Sequence, residues 1–193
     1  MGSQDLDQFR EAARLTKDIK KLGVTRSGCI EVALTALGGK ITPEAVQDRI
    51  RIIDKERHNT ATYLDKHGLT PVAYVSFDSP PVLEEVSEIL DNPKYPFNLS
   101  GEAPPRDYVN GFLMEMVPHS SKKKGHAVAI LHRDALQRDD RKMLKKDNCH
   151  IMVDLQRPEL IVEIDDESLT DSISSLVEDG FYVTFYFLRK RRG

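Results

Sequence analysis

The chain has 193 residues, of which 39% are hydrophobic and 31% are charged. This length and composition predict one globular domain with its own core, and they exclude a disordered or fibrous protein. The formal net charge of −3 excludes a general binder of polyanions, and no stretch approaches the roughly 18 apolar residues of a membrane span.

Helices dominate the predicted elements up to residue 68. Their signals are apolar stripes at helical spacing, a threonine cap followed by proline, and glycines after the last turn. The predicted helices are, in chain order, residues 5–22, Cys29–Leu37, a helix capped by Thr42 with Pro43 in its first turn, and residues 60–67 before Gly68.

After residue 68 the chain becomes rich in alternating, β-branched and aromatic segments. Strands are predicted at residues 70–77, 108–117, 125–132, 149–156, 160–164 and 181–188. Helices are predicted at residues 79–92 and 168–180, and connections at residues 92–107 and 133–148. Helices followed by antiparallel strands indicate the α+β class, with a helical layer packed on a sheet.

The cysteines and histidines limit the chemistry of the chain. Cys29 and Cys149 are too few for a disulfide framework. One bridge between them is an open alternative, but free thiols in a reducing compartment are favoured. The sequence has no CxxC and no HExxH, and its six histidines are scattered. It therefore predicts no metal site and no cofactor.

Cys29 follows Ser27 and Gly28 at the start of a predicted helix, in the sequence SGCIEVAL. The positive end of the helix dipole favours a thiolate at this position, and the first-turn amides can stabilise an oxyanion. The plain alternative is a small buried cysteine that packs the helix start.

His126 begins the predicted strand HAVAIL after a glycine, and both faces of this strand are apolar. Asp154 follows the apolar part of the strand that comes next in the chain. If these two strands pair, as consecutive antiparallel strands commonly do, Asp154 approaches His126 and orients its imidazole. Taken singly, the two residues are equally explained as a structural histidine and a turn-capping aspartate. Together with Cys29 they supply the nucleophile, base and orienting group of a thiol-dependent acyl-transfer site.

The segments SGCIEVALTALGG, GHAVAIL and IMVDLQ resemble the papain-like cysteine peptidases, and in more detail the bacterial papain-fold toxins and effectors. The resemblance implies a helical N-terminal half that carries the cysteine, packed on an antiparallel sheet that carries histidine and aspartate. It also implies a cysteine peptidase or protein glutamine deamidase that acts on a protein in the reducing cytoplasm of a target cell. Cys29, His126 and Asp154 take the catalytic roles, and Gln156 is a supporting residue.

Two departures from that pattern leave an alternative open. Arg26 stands where members of the toxin group often carry a first cysteine, and residues 21–28 lack the glutamine that forms the papain oxyanion hole. Either Cys29 is the nucleophile, or the chain is a catalytically silent relative that binds a protein partner through the same groove. A second alternative is an unrelated α+β binding domain whose basic C-terminal tail contacts anions.

The predicted organisation is an N-terminal helix over residues 1–22, a papain-like catalytic domain over residues 23–188 and a basic tail over residues 189–193. The expected partner is a protein substrate rather than a nucleic acid, without a membrane span. Because the start MGSQDLDQFR is polar and acidic, it is not expected to be a signal peptide.

Overall fold

The computed structural model of the chain describes residues 14, 17–18, 28–39, 41–42, 44–45, 60–91, 107–120, 122–132, 149–154 and 162–191. The helices with defined bounds are α1 (Cys29–Ala36), α2 (Thr60–Lys66), α3 (Leu83–Asp91) and α4 (Asp166–Glu178). The strands are β1 (Leu69–Phe77), β2 (Tyr108–Pro118), β3 (His126–Leu131), β4 (His150–Val153), β5 (Val162–Ile164) and β6 (Phe181–Lys190). Apart from isolated positions, the helices predicted at residues 5–22 and after Thr42 and the connections at residues 92–107 and 133–148 lie outside the described residues.

The six strands form one sheet in the order β1-β6-β2-β3-β4-β5, and every neighbouring pair is antiparallel. Together with the helices, this sheet confirms the predicted α+β class. The predicted pairing of β3 with β4 is also confirmed, with Ala129 opposite Val153. In the described part of the chain, no helix has the length and apolar character needed to cross a bilayer.

The two faces of the sheet carry separate cores. Because side chains alternate along a strand, Leu113 and Ala129 point to one face while Phe112 and Val128 point to the other. On the first face α1 and α2 cover a cluster that includes Cys29, Leu34, Leu64 and the residues Leu113, Ala127, Ala129, Ile151 and Val153. On the second face α3 and α4 cover a cluster that includes Val86, Ile173 and the residues Phe112, Met114, Val128, Ile130 and Phe185.

The predicted single helical layer is therefore incomplete, because helices cover both faces of the sheet. The physical reason lies in the central strands, whose side chains are apolar on both sides and must all be removed from water. Amphipathic α3 and α4 bury their apolar sides on the second face. Of the helices with defined bounds, α1 and α2 lie on the face that holds Cys29.

Local signals account for several element ends. Gly68 and Gly180 have positive φ values of 88° and 83° after α2 and α4, as expected for glycines that end helices. Asp165 caps α4 by accepting a hydrogen bond from the Ser168 amide at 2.8 Å, so this helix starts two residues before its predicted start. At the C-terminus, β6 continues to Lys190, where it pairs with β1, so the predicted basic tail overlaps the sheet by two residues.

Gly111 allows β2, β3 and the end of α1 to come together. A Cβ atom at this position would lie 2.6 Å from the Ile130 carbonyl oxygen and 3.0 Å from Leu37 Cδ2. Gly111→Ala is therefore expected to lower the free energy of unfolding by roughly 1–3 kcal/mol, because the backbone of β3 must shift. Chemical denaturation measures this difference. Gly125→Ala is the matched comparison, with a nearest contact of 3.0 Å to Met116 oxygen and a smaller expected loss; equal losses would contradict the prediction.

Candidate active site

Cys29 is the first residue of α1, as predicted. Its side chain lies in the core on the first face of the sheet and is 9% exposed. Gly28 is the N-cap residue and makes no side-chain capping hydrogen bond, while its carbonyl accepts from the Val32 amide. The thiol thus lies where the helix dipole is positive and where first-turn amides lack helical acceptors.

His126 is the first residue of β3, and Asp154 follows the last residue of β4. The Nε2 atom of His126 lies 2.9 Å from Oδ1 of Asp154, which confirms the predicted approach of these two side chains. The imidazole is 21% exposed and the carboxylate 13% exposed. Their contact is therefore shielded from bulk water on most sides, where a charge-assisted hydrogen bond is stronger than at the surface.

The thiol of Cys29 lies close enough to His126 to act on its imidazole. Because Asp154 occupies Nε2, Nδ1 is the ring nitrogen that remains. Cys29, His126 and Asp154 thus come together from a helix and two strands that are far apart in the sequence. The catalytic roles that the sequence predicts for them stay a prediction.

The two neighbours of the imidazole decide its protonation. Burial by itself lowers the pKa of His126, but hydrogen bonds to Asp154 and Cys29, together with the charges of both groups, outweigh it and raise the pKa from 6.5 to about 9. At neutral pH the ring therefore holds a proton and carries a positive charge.

Glu31 lies two residues after Cys29 and is fully buried in α1. Tyr63 of α2 donates a hydrogen bond from its hydroxyl to Glu31 Oε1 at 2.6 Å. The contact ties the two helices of the first face together and fixes the first turn of α1. The prediction from sequence missed this residue, although a lone glutamate within the apolar run CIEVAL is a signal of a buried, partnered carboxylate.

A second cluster of titratable groups lies on the opposite face of the sheet. The Nε2 atom of His150, at the start of β4, lies 2.9 Å from Asp166 Oδ1 and 3.7 Å from Asp91 Oδ1. The ligand atoms of these three residues lie within 4.8 Å of one another, close enough to hold a metal ion together. The same contacts also join α3, α4 and β4. No motif spacing predicted the cluster, because its members come from three separate elements.

Gln156, the predicted supporting residue, and Arg26 before the helix lie outside the described residues. Of the oxyanion donors expected from the sequence, the first-turn amides of α1 are the ones that the structure describes. No family model matches the chain, and no curated protein and no solved structure matches it either.

Proposed function

We propose that this chain is a thiol-dependent acyl-transfer enzyme, either a cysteine peptidase or a protein glutamine deamidase. Cys29 is the nucleophile and His126 is the general base and acid. Asp154 orients the imidazole and favours its protonated form. The observation that carries the proposal is the environment of His126: its imidazole lies 2.9 Å from Asp154 Oδ1, and its pKa, which burial alone would lower, is raised to about 9 by Asp154 and by Cys29 at the start of α1. A nucleophile, a base within hydrogen-bond reach and a third group that orients the base are the parts such catalysis requires.

In the proposed reaction the thiol proton resides on the imidazole at the outset. The sulfur attacks an amide carbonyl carbon, a C–S bond forms, and the first-turn amides of α1 stabilise the oxyanion. The C–N bond then breaks as His126 protonates the leaving amine, or ammonia in the case of a glutamine side chain. Neutral His126 next takes a proton from water, the resulting hydroxide hydrolyses the thioester, and the thiol is regenerated.

We further propose a papain-like architecture and a bacterial effector or toxin setting, with action in a reducing cytoplasm. Support for the architecture comes from a cysteine at the start of a helix that packs on neighbouring strands carrying His126 and Asp154. Support for the setting comes from the two cysteines, both of which are free and buried. Free thiols of this kind are typical of a reducing compartment.

A second candidate is a catalytically silent domain of the same architecture that binds a protein partner. The observation that favours it is the burial of the thiol, since Cys29 is only 9% exposed. A substrate carbonyl has to reach that sulfur before any acyl transfer takes place. In the silent form, His126 and Asp154 serve as a structural ion pair that joins β3 to β4.

The two candidates differ in what the protein does to other proteins. Cell lysate is incubated with the wild type or with Cys29→Ser and compared by mass spectrometry of peptides. An enzyme produces new peptide termini, or glutamines converted to glutamate, that are absent with Cys29→Ser. Cys149→Ser is the matched control, because Cys149 is also buried and forms no disulfide, and its sulfur lies 3.8 Å from Glu163 Oε2. Identical peptide populations for wild type and Cys29→Ser would reject the enzyme.

A further inference from the structure

An open cavity of about 840 Å³ lies on the sheet beside the start of α2. It is lined by residues of the neighbouring strands β1, β6 and β2 and by the first residue of α2. The side chains that decide its chemistry are those of Thr60, Tyr74, Glu115, Val117, Thr184 and Tyr186.

Among the described residues that line the cavity, Glu115 is the one acidic residue. It is half-buried, and its two carboxylate oxygens accept hydrogen bonds from the Thr60 hydroxyl at 2.5 Å and the Tyr186 hydroxyl at 3.0 Å. Because both donors are uncharged hydroxyl groups, they orient the carboxylate and place no positive charge beside it. Burial raises the pKa of Tyr186 above its usual range, and the charge and hydrogen bond of Glu115 raise it further.

No lysine or arginine of the described residues forms an ion pair with Glu115. A carboxylate held away from water without a positive partner is unfavourable, and a cationic ligand relieves that cost. The aromatic side chains that line the cavity also favour a cationic ligand. Tyr74 is 69% exposed, and its ring centroid lies 6.3 Å from that of Tyr186, so two aromatic rings are available to a cation beside the carboxylate.

Strand register connects this cavity to the proposed catalytic site. Glu115 is the cross-strand partner of Ala127, the residue after His126, and Ala127 belongs to the same core cluster as Cys29. Paired side chains on one face of an antiparallel sheet are about 5 Å apart at Cβ. A ligand bound to Glu115 therefore lies on the face of the sheet that carries the thiol, on β2, which neighbours the strand β3 of His126.

We propose that this cavity binds a basic side chain, arginine or lysine, of the protein substrate next to the thiol. The inference rests on the proposed function, since it assigns a substrate class to that site. Glu115 supplies the negative charge, the rings of Tyr74 and Tyr186 flank the aliphatic and cationic parts, and Thr60 keeps the carboxylate oriented.

The test uses acetylated dipeptide chloromethyl ketones with arginine at either position, each matched to a norleucine compound of similar length. The Cys29 sulfur forms a bond to the methylene carbon and chloride leaves, so mass spectrometry gives the labelling rate. In the wild type, an arginine probe is expected to label Cys29 roughly tenfold faster or more than its norleucine match, because close charge pairs in shielded sites contribute at least that much.

The arginine-to-norleucine rate ratio is compared between variants, so intrinsic thiol reactivity cancels. Glu115→Gln is expected to bring the ratio near one, and Tyr74→Ala, at an exposed position, to lower it while the fold is retained. Glu88→Gln, on the exposed side of α3, is the matched control and keeps the wild-type ratio. A ratio near one in the wild type, or one that survives Glu115→Gln, overturns the inference while the labelled thiol still supports the enzyme. If no probe labels Cys29 faster than Cys149, both proposals fail.

Discussion

Replacing His126 with alanine is expected to slow alkylation of Cys29 by iodoacetamide at pH 6 by roughly 10- to 100-fold. The thiolate is the reactive form, and an ordinary thiol with a pKa of about 8.5 is less than about 1% ionised at this pH. In the wild type the imidazole, with its pKa raised to about 9, places a cation against the sulfur. Alanine removes that cation, and the thiolate loses its stabilisation. Mass spectrometry of the alkylated peptides from pH 5 to 9 measures the rates.

Two comparisons make this result specific to the contact. Cys149 is a second buried thiol in the same molecule, and its rate should be unaffected by His126→Ala. His119→Ala removes an exposed histidine that packs on Tyr182 in the hairpin after β2, and should leave Cys29 reactivity at the wild-type level. If His126→Ala and His119→Ala alkylate equally fast at pH 6, no thiolate–imidazolium pair exists and the silent binding domain is the better proposal.

The His126–Asp154 contact could be predicted from sequence because it depends on neighbouring strands. With Ala129 opposite Val153, residue 154 falls opposite residue 128, two positions from His126 on the same face. Such diagonal neighbours are within reach of long side chains. Local strand patterns and the preference for pairing consecutive strands are sufficient for this step.

The position of Cys29 near the same imidazole could not be predicted from strand patterns. The local sequence predicts that Cys29 starts an apolar helix, but it does not predict on which strand that helix packs. The packing of α1 on β3 depends on contacts about a hundred residues apart in sequence, and no periodicity encodes them. The expectation came from the combination of Cys29 with a histidine and a carboxylate, and the resemblance to papain-like proteins supported it; taken alone, Cys29 is explained as a core residue.

The sequence contained evidence for the second helical layer, but the prediction did not use it. His126, Val128 and Ile130 alternate with alanines and leucine, so β3 is apolar on both faces. A strand of this kind requires cover on both sides, and α3 and α4 provide the second layer.

Glu115 could also have been predicted as a special position, because a carboxylate in the run FLMEMV must face a polar partner or a cavity. Which of these two it faces is set by α2 and β6, which are distant in sequence.

The stability of the protein is expected to fall between about pH 6 and about pH 10 through His126, by an amount on the order of 2–3 kcal/mol. The folded state holds the imidazolium proton more tightly than the unfolded chain. The stabilisation is therefore complete below the ordinary pKa of 6.5 and is lost as the pH rises through about 9. Asp154→Asn removes the carboxylate that accepts from the imidazole, so the pKa of His126 falls and this pH dependence shrinks. Urea denaturation at each pH measures the free energy of unfolding.

The difference between wild type and Asp154→Asn should thus depend on pH. At pH 6 the variant is expected to be less stable by about 1–3 kcal/mol, the usual contribution of a hydrogen bond to a charged group. At pH 10 the imidazole is neutral in both proteins, so the difference should be much smaller. Asp171→Asn, at an exposed position of α4, makes the same change in charge and should give a small difference at every pH. A constant destabilisation by Asp154→Asn across the range would mean that Asp154 packs at the site without holding the proton on which the proposed catalysis depends.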